Sequence, residues 1–227
     1  MDKAGASSLM KTLLINSSDK NAFAAILQEG KTSAVYAREF ADPNSGKSPD
    51  KLINCLYKLS TEFDIGSIDN LAVTIGPGSF TGIRVGLSLA KGMLFGTSKK
   101  LIPINSFELI LKRLEGFELK KDYCVVVAAK LPEYYFAVYS GGQKTAEGAD
   151  TLENIQKMLK NDAIIAGDFD DETQLKHCYF SVVNVKNQRG ELEAMADIAE
   201  EAISAGKFLE PQQAEPMYLK DFNFRKM

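Results

Sequence analysis

No tryptophan and a single histidine, His177, occur in the 227 residues, and the three cysteines, Cys55, Cys124 and Cys178, are far apart with no CxxC among them. One histidine cannot supply the HxxxH or HExxH pair of a zinc hydrolase or metal-dependent protease, so no metal site is expected. Cysteines so spaced read as reduced, buried thiols. No run approaches the roughly 18 apolar residues of a membrane-spanning helix, and the opening MDKAGASSLMKTLLIN has no complete signal-peptide apolar segment. A cytoplasmic protein with no membrane contact is expected. Neither sign of charge predominates: the formal net charge is -3, too small to draw the whole chain onto nucleic acid.

What is present is ordinary globular material, 45% hydrophobic and 25% charged, enough for a sizeable core divided between two small lobes. Residues 1–10 carry no pattern and read as a frayed start, with Met10 as an alternative initiator. KTLLIN (11–16), NAFAAILQEG (21–30) and KTSAVYAREF (31–40) read as three strands joined by short polar turns. SPDKLINCLYKLSTEF (48–63) has Pro49 in its first turn and Leu52, Cys55, Leu56 and Leu59 at helical spacing. A buried strand (68–76), a glycine turn, a helix and the short strand LIPI follow, completing a βββαβα unit.

The same order recurs after the helix SFELILKRLEGF: strands at 123–129 and 134–140, a weak strand at 144–149, the helix TLENIQKMLK and the strand AIIAGD. The repetition is of architecture and not of sequence. It predicts an α/β chain with the two-lobed actin-like ATPase fold, divided at 1–104 and 105–227, the second lobe carrying a terminal helix (191–207) and tail.

The segment IGPGSFTGIRVGLSLAKGMLFG (75–96) is the anomaly, because it sets four glycines, Gly82, Gly86, Gly92 and Gly96, into a helix. Each glycine in a helix interior costs roughly 1 kcal/mol against alanine. At about 100° per residue, Gly82, Gly86, Ala90 and Met93 form one small-residue ridge flanked by Ile83 and Leu87, while Arg84, Ser88 and Lys91 form the polar strip. Small ridges admit close helix neighbours, so Gly82, Ile83, Arg84, Gly86, Leu87, Ala90 and Met93 are expected to form a partner-binding surface. On that expectation, Gly86→Leu leaves the isolated chain stable and blocks the partner. Two other readings stay open. Pro77, Gly78, Ser79 and Thr81 make sense as turn and capping residues alone. Alternatively, backbone N–H groups at the helix start cradle a phosphate, with Asn16, Ser17, Gly78 and Ser79 as the nucleotide-binding set, although no GxxxxGK[ST] lysine is present.

GPGSFTGIRVGLSLAKGM resembles the signature segment of the TsaB (YeaZ) family, paralogues of TsaD. LLINSSDKNAFAAIL is similar to that family's opening IDTS strand and hairpin, and AEPMYLKDF to its closing P-x-Y-L-R segment. The resemblance implies a non-catalytic scaffold subunit, without a cofactor, in the machinery that makes N6-threonylcarbamoyladenosine in tRNA. It implies binding to TsaD, with TsaE in the larger complex, a homodimer through the same helix when alone, and contact with tRNA only through the complex. The metal-binding HxxxH of TsaD has no counterpart here, so a glycoprotease label would be a family echo.

This sequence departs from the family at three places: Asn16 stands where IDTS has its carboxylate, Lys47 and Ser48 stand where R-x-H-S-E is expected, and AAKLPEYY, with Lys130 and Glu133, replaces a D-A-R loop. An amide is a poorer magnesium partner than a carboxylate, which weighs against ATP hydrolysis. Among weaker candidates, Asp168, Asp170, Asp171 and Glu172 read as a solvated loop, and Tyr134, Tyr135 and Phe136 as a half-buried strand. Leu192, Met195, Ile198 and Ala199 read as a core face, and Lys220, Arg225 and Lys226 as a basic tail.

Overall fold

A computed structural model of the chain describes residues 10–19, 22–28, 31–36, 48–130, 132–160, 162–169, 175 and 178–219. The first unit runs β1 (Lys11–Asn16), β2 (Phe23–Gln28), β3 (Lys31–Tyr36), α1 (Ser48–Glu62), β4 (Asn70–Gly76), α2 (Phe80–Leu94) and β5 (Lys100–Asn105). After α3 (Ser106–Arg113) the second runs β6 (Tyr123–Ala128), β7 (Glu133–Ser140), β8 (Gln143–Thr151), α4 (Leu152–Met158), β9 (Ile164–Gly167) and β10 (Ser181–Asn184), and α5 (Glu191–Ser204) ends the series.

Two five-stranded sheets result, ordered β3-β2-β1-β4-β5 and β10-β9-β6-β7-β8. Taken from its first hairpin, the second sheet reproduces the order of the first. Each hairpin pair is antiparallel, β1 with β2 and β6 with β7, while β1 with β4 and β6 with β9 are parallel. This duplicated arrangement is the actin-like ATPase architecture.

Alternation along β1 divides the first core. Leu13 and Ile15, with Ile26, Leu71 and Val73, meet Leu52, Cys55 and Leu59 of α1 and Leu87, Ala90 and Leu94 of α2. Leu14, with Ala25, Ala72 and Ile102, turns the other way, onto Ala194, Met195 and Ala199 of α5. Each buried aliphatic side chain stabilises by about 1.5–3 kcal/mol, so both faces must be covered. In the second sheet, Val125, Ala137 and Ala166 pack with Phe107 and Ile110 of α3, and Cys124, Val126, Tyr134, Phe136 and Ile165 with Leu152 and Ile155 of α4.

The expected division between residues 104 and 105 falls at the last residue of β5, and the C-terminal elements return to the first sheet. Helix α5 lies on the first sheet, Leu209 bridges to Leu101 of β5, and Ala214 is buried in the α1–α2 core. The physical reason is that this apolar face of the first sheet is covered by α5 together with Leu109 of α3. Among the described residues, no helix is long and apolar enough to cross a membrane.

Candidate functional site

Helix α2 begins on Ser79, whose Oγ accepts from the Gly82 N–H at 3.1 Å. Gly82, Ile83, Gly86, Leu87 and Ala90 are all buried within the chain itself. A Cβ at Gly82 would fall far inside contact distance of the Ser17 carbonyl oxygen; at Gly86 it would meet Ser17 Oγ and lie 3.6 Å from Val73 Cγ2. The close neighbour that the glycines admit is therefore the loop leaving β1. Ser17 Oγ, pressed against Gly86, is buried with no hydrogen-bond partner among the described residues. This corrects the expected partner surface: Gly82, Ile83, Gly86, Leu87 and Ala90 serve internal packing and present nothing outward.

The outward face is displaced around the helix. Arg84, Val85, Ser88, Leu89, Gly92 and Met93 line an open, mostly apolar groove of about 560 Å³. Among the described residues, nothing beyond the neighbouring backbone of α2 lies within 4 Å of where a Gly92 Cβ would stand. On helix α1, which packs beside α2, Ile53 and Tyr57 are 52% and 70% exposed. Of the expected partner residues, only Arg84 and Met93 lie on this face. The missed signal was that a β1–β4 parallel pair must bring the β1 loop under the start of α2.

Between the lobes is a second concavity, a cleft of about 590 Å³ with apolar walls from Leu109, Ile110, Val126 and Tyr135. Gly78 and Ser79 of the proposed nucleotide set line it, but Asn16 and Ser17 do not. Asn16 is fully buried and held within the chain: Oδ1 accepts from Ser18 N at 3.0 Å, Ser18 Oγ at 2.8 Å and Thr74 Oγ1 at 2.9 Å, while Nδ2 donates to Glu191 Oε1 at 2.8 Å. The Ser79 N–H donates to the Ser18 carbonyl at 2.6 Å. A donor that would face a phosphate is thus already bonded to the β1 loop, which corrects the placement of Asn16 and Ser17 in a phosphate cradle.

Sequence reasoning missed the cleft's ionised floor. Arg113 is 5% exposed and donates to Asp168 Oδ2 at 2.8 Å, Val185 O at 3.2 Å and Arg189 O at 3.3 Å, so its charge is committed. Glu191, at the start of α5, is pushed up to about 8, first by burial and then by Asp19 and Asp168; Arg113 and the Asn16 hydrogen bond oppose the shift. Arg113 ends α3 and Glu191 begins α5, far apart in sequence, and only the fold brings them together. The arrangement offers a neutral carboxyl beside a closed ion pair.

Among the described residues, no group of three His, Cys, Asp or Glu side chains could hold a metal ion. Lys130 lines the cleft and Glu133 opens β7. Tyr134 and Phe136 pack against α4 and Tyr135 against the α3 side. Burial pushes the Cys124 thiol up to about 12 and raises Cys55, which suits inert core residues. Met195 and Ala199 are core, with Leu192 and Ile198 packed against them. Residues 1–9, Lys47, Asp170, Asp171, Glu172, His177, Lys220, Arg225 and Lys226 lie outside the described residues, and for Ser48 only the backbone at the start of α1 is described.

With this geometry in place, residues 48–206 match the family model described as TsaD, tRNA N6-adenosine threonylcarbamoyltransferase. The tRNA threonylcarbamoyladenosine biosynthesis protein TsaB of Haemophilus influenzae is 40% identical over 75 residues, 32% of this chain and 31% of that protein. TsaB of Buchnera aphidicola is 24% identical over 119 residues, 48% of this chain and 57% of that protein. The matches thus span about a third and just over half of those relatives. The solved structure of YeaZ from Pseudomonas aeruginosa superposes with a TM-score of 0.69 at 18% identity, covering 93% of this chain and all of the other.

Proposed function

Since the chain belongs to the TsaD family, among its TsaB (YeaZ) paralogues, we propose that it takes part in threonylcarbamoyladenosine biosynthesis in tRNA as a scaffold subunit that docks a TsaD protein and performs no chemistry itself. The observation that carries this reading is the apolar groove on the outer face of α2, open at Gly92. Surfaces of this kind on an otherwise charged exterior mark interaction sites. A helix laid along α2 would cover Val85, Leu89 and Met93 and approach closely at Gly92. With no TsaD present, a second copy of the chain occupies the same groove as a symmetric dimer, so the two assemblies compete.

Gly92→Leu separates fold from docking. In the isolated chain the new side chain meets open space and removes a helix glycine, so the melting temperature holds or rises, by up to about 1 kcal/mol of stability. In the complex it forces the helices apart, and TsaD affinity falls by tenfold or more, corresponding to the 1–3 kcal/mol typical of overpacking. Calorimetric titration of TsaD reads one effect and thermal melting the other. Unchanged TsaD affinity would place the contact on another surface.

The second reading, a nucleotide-binding protein, draws on the interlobe cleft. The Ser79 N–H and the Arg113 guanidinium are already bonded within the chain, and Asn16 is buried away from the cleft, so the cleft has little left to give a polyphosphate. Titration with ATP and magnesium in the absence of a partner is expected to show no sub-micromolar affinity. Binding in that range would favour the nucleotide reading over the scaffold.

A further inference from the structure

Arg84 is exposed at the N-terminal end of the α2 groove, yet it is held in one pose. Its guanidinium carbon sits 3.7 Å over the Phe80 ring centroid and 5.5 Å from that of Tyr218, and Nε donates to Tyr218 Oη at 2.8 Å. Phe80 and Tyr218 themselves stack at 5.8 Å. Tyr218 is anchored independently of Arg84, because the adjacent Met217 N–H donates to Ile75 O at 2.8 Å and the side chains of Met217 and Leu219 pack into the second-lobe core. Among the described residues, no carboxylate pairs with Arg84, and neither Nη1 nor Nη2 is bonded.

We infer that Arg84 is the charged anchor of the α2 groove, presenting Nη1 and Nη2 to an Asp or Glu carboxylate on a helix of TsaD, and that Tyr218 is the positioning residue that holds it there. The inference rests on the docking reading above and goes beyond it by assigning the partner's chemistry. Three features favour a carboxylate-bearing helix. The groove running from Arg84 past Val85 and Leu89 to Met93 is mostly apolar and follows the axis of α2. The paired Nη groups match the two oxygens of a carboxylate. The N-terminal end of α2 adds positive potential of its own. Because the ring stack orders the guanidinium before binding, little side-chain entropy remains to be lost on docking. The C-terminal segment thereby completes a surface built mainly from the first lobe.

The test is calorimetric titration of the full-length chain with TsaD at about 50 and about 500 mM salt. Wild-type affinity is expected to weaken with salt. Arg84→Gln should bind about tenfold more weakly at low salt, with a flatter salt dependence and an unchanged melting temperature. Tyr218→Phe, which keeps the ring and loses the hydroxyl, should lose a smaller factor in the same direction, and Arg84→Lys should not restore binding. Arg84→Glu should regain affinity when one acidic residue of TsaD, found by scanning Asp→Lys and Glu→Lys variants, is reversed. If Arg84→Gln binds like wild type at both salts while Leu89→Asp abolishes binding, the groove stands and the anchor is refuted. If Arg84→Gln weakens binding to tRNA and not to TsaD, the arginine meets a phosphate and the inference fails. If wild type does not bind TsaD, the docking reading itself falls, and this one with it.

Discussion

Gly86→Leu is expected to destabilise the isolated chain severely. The position is buried under α2, with Ser17 Oγ and Cβ and Val73 Cγ2 around the place a side chain would occupy, the last two at 3.3 and 3.6 Å from an added Cβ. Removing a helix glycine gains up to about 1 kcal/mol. Forcing four further carbons between α2, the β1 loop and β4 costs about 3 kcal/mol or more, because neither the Ser17 backbone nor β4 can retreat without breaking the sheet. The net loss should lower the melting temperature by roughly 5–10 °C for a chain of this size. Gly82→Ala should be comparably damaging for its single methyl, since the atom in its way is a backbone carbonyl oxygen. Gly92→Leu, less than two turns further along α2 but open in space, is the control that should melt normally. A Gly86→Leu protein that melts with wild type would mean that the β1 loop does not lie against α2. The sequence-based expectation had the opposite sign at Gly86, because it assigned the glycine ridge to a partner.

Stability should fall as pH rises from about 5 to about 8, through Glu191. Its carboxyl is raised from 4.5 to about 8 in the fold, so the folded chain holds a proton there that the unfolded chain has released. That contribution is fully present below about pH 4.5 and is lost as pH climbs through about 8. The helix N-terminus and Arg113 both favour the ionised form, but burial together with Asp19 and Asp168 outweighs them. The full linkage is on the order of a few kcal/mol. Glu191→Gln mimics the protonated acid and keeps an acceptor for Asn16 Nδ2, so its melting temperature should be flatter across the same interval and exceed that of wild type at pH 8 and above. Asn16→Asp should act oppositely, since it sets a second carboxylate where the 2.8 Å hydrogen bond to Glu191 now stands. Thermal melts of the three proteins from pH 5 to 9 decide the matter, and parallel curves for wild type and Glu191→Gln would show that Glu191 is ionised throughout.

Element order was legible in the residues because period and punctuation are local. The alternation of Leu13, Leu14 and Ile15, the Leu52, Cys55, Leu59 spacing of α1, and the Ser79 cap each follow from chain geometry within one or two turns. The repeated βββαβ order then constrains topology, since parallel strands need crossovers and leave few ways to build two sheets. The family resemblance in 75–96 was likewise a property of consecutive residues.

Which side of α2 faces the world was decided only by tertiary structure. Gly82 and Gly86 announce that something approaches closely, but a glycine carries no information about whether the neighbour belongs to another molecule or, as here, to Ser17, some 65 positions earlier in the chain. The same holds for the Glu191 contact with Asn16, the Arg113 pair with Asp168 and the Tyr218 clasp on Arg84, whose partners lie 175, 55 and 134 residues away. Helical periodicity fixes which side chains share a face, because that is set by the backbone within a turn. What covers the face depends on long-range closure of the sheets, and on that rests the division of α2 into an inner side of glycines and an outer groove from Arg84 to Met93.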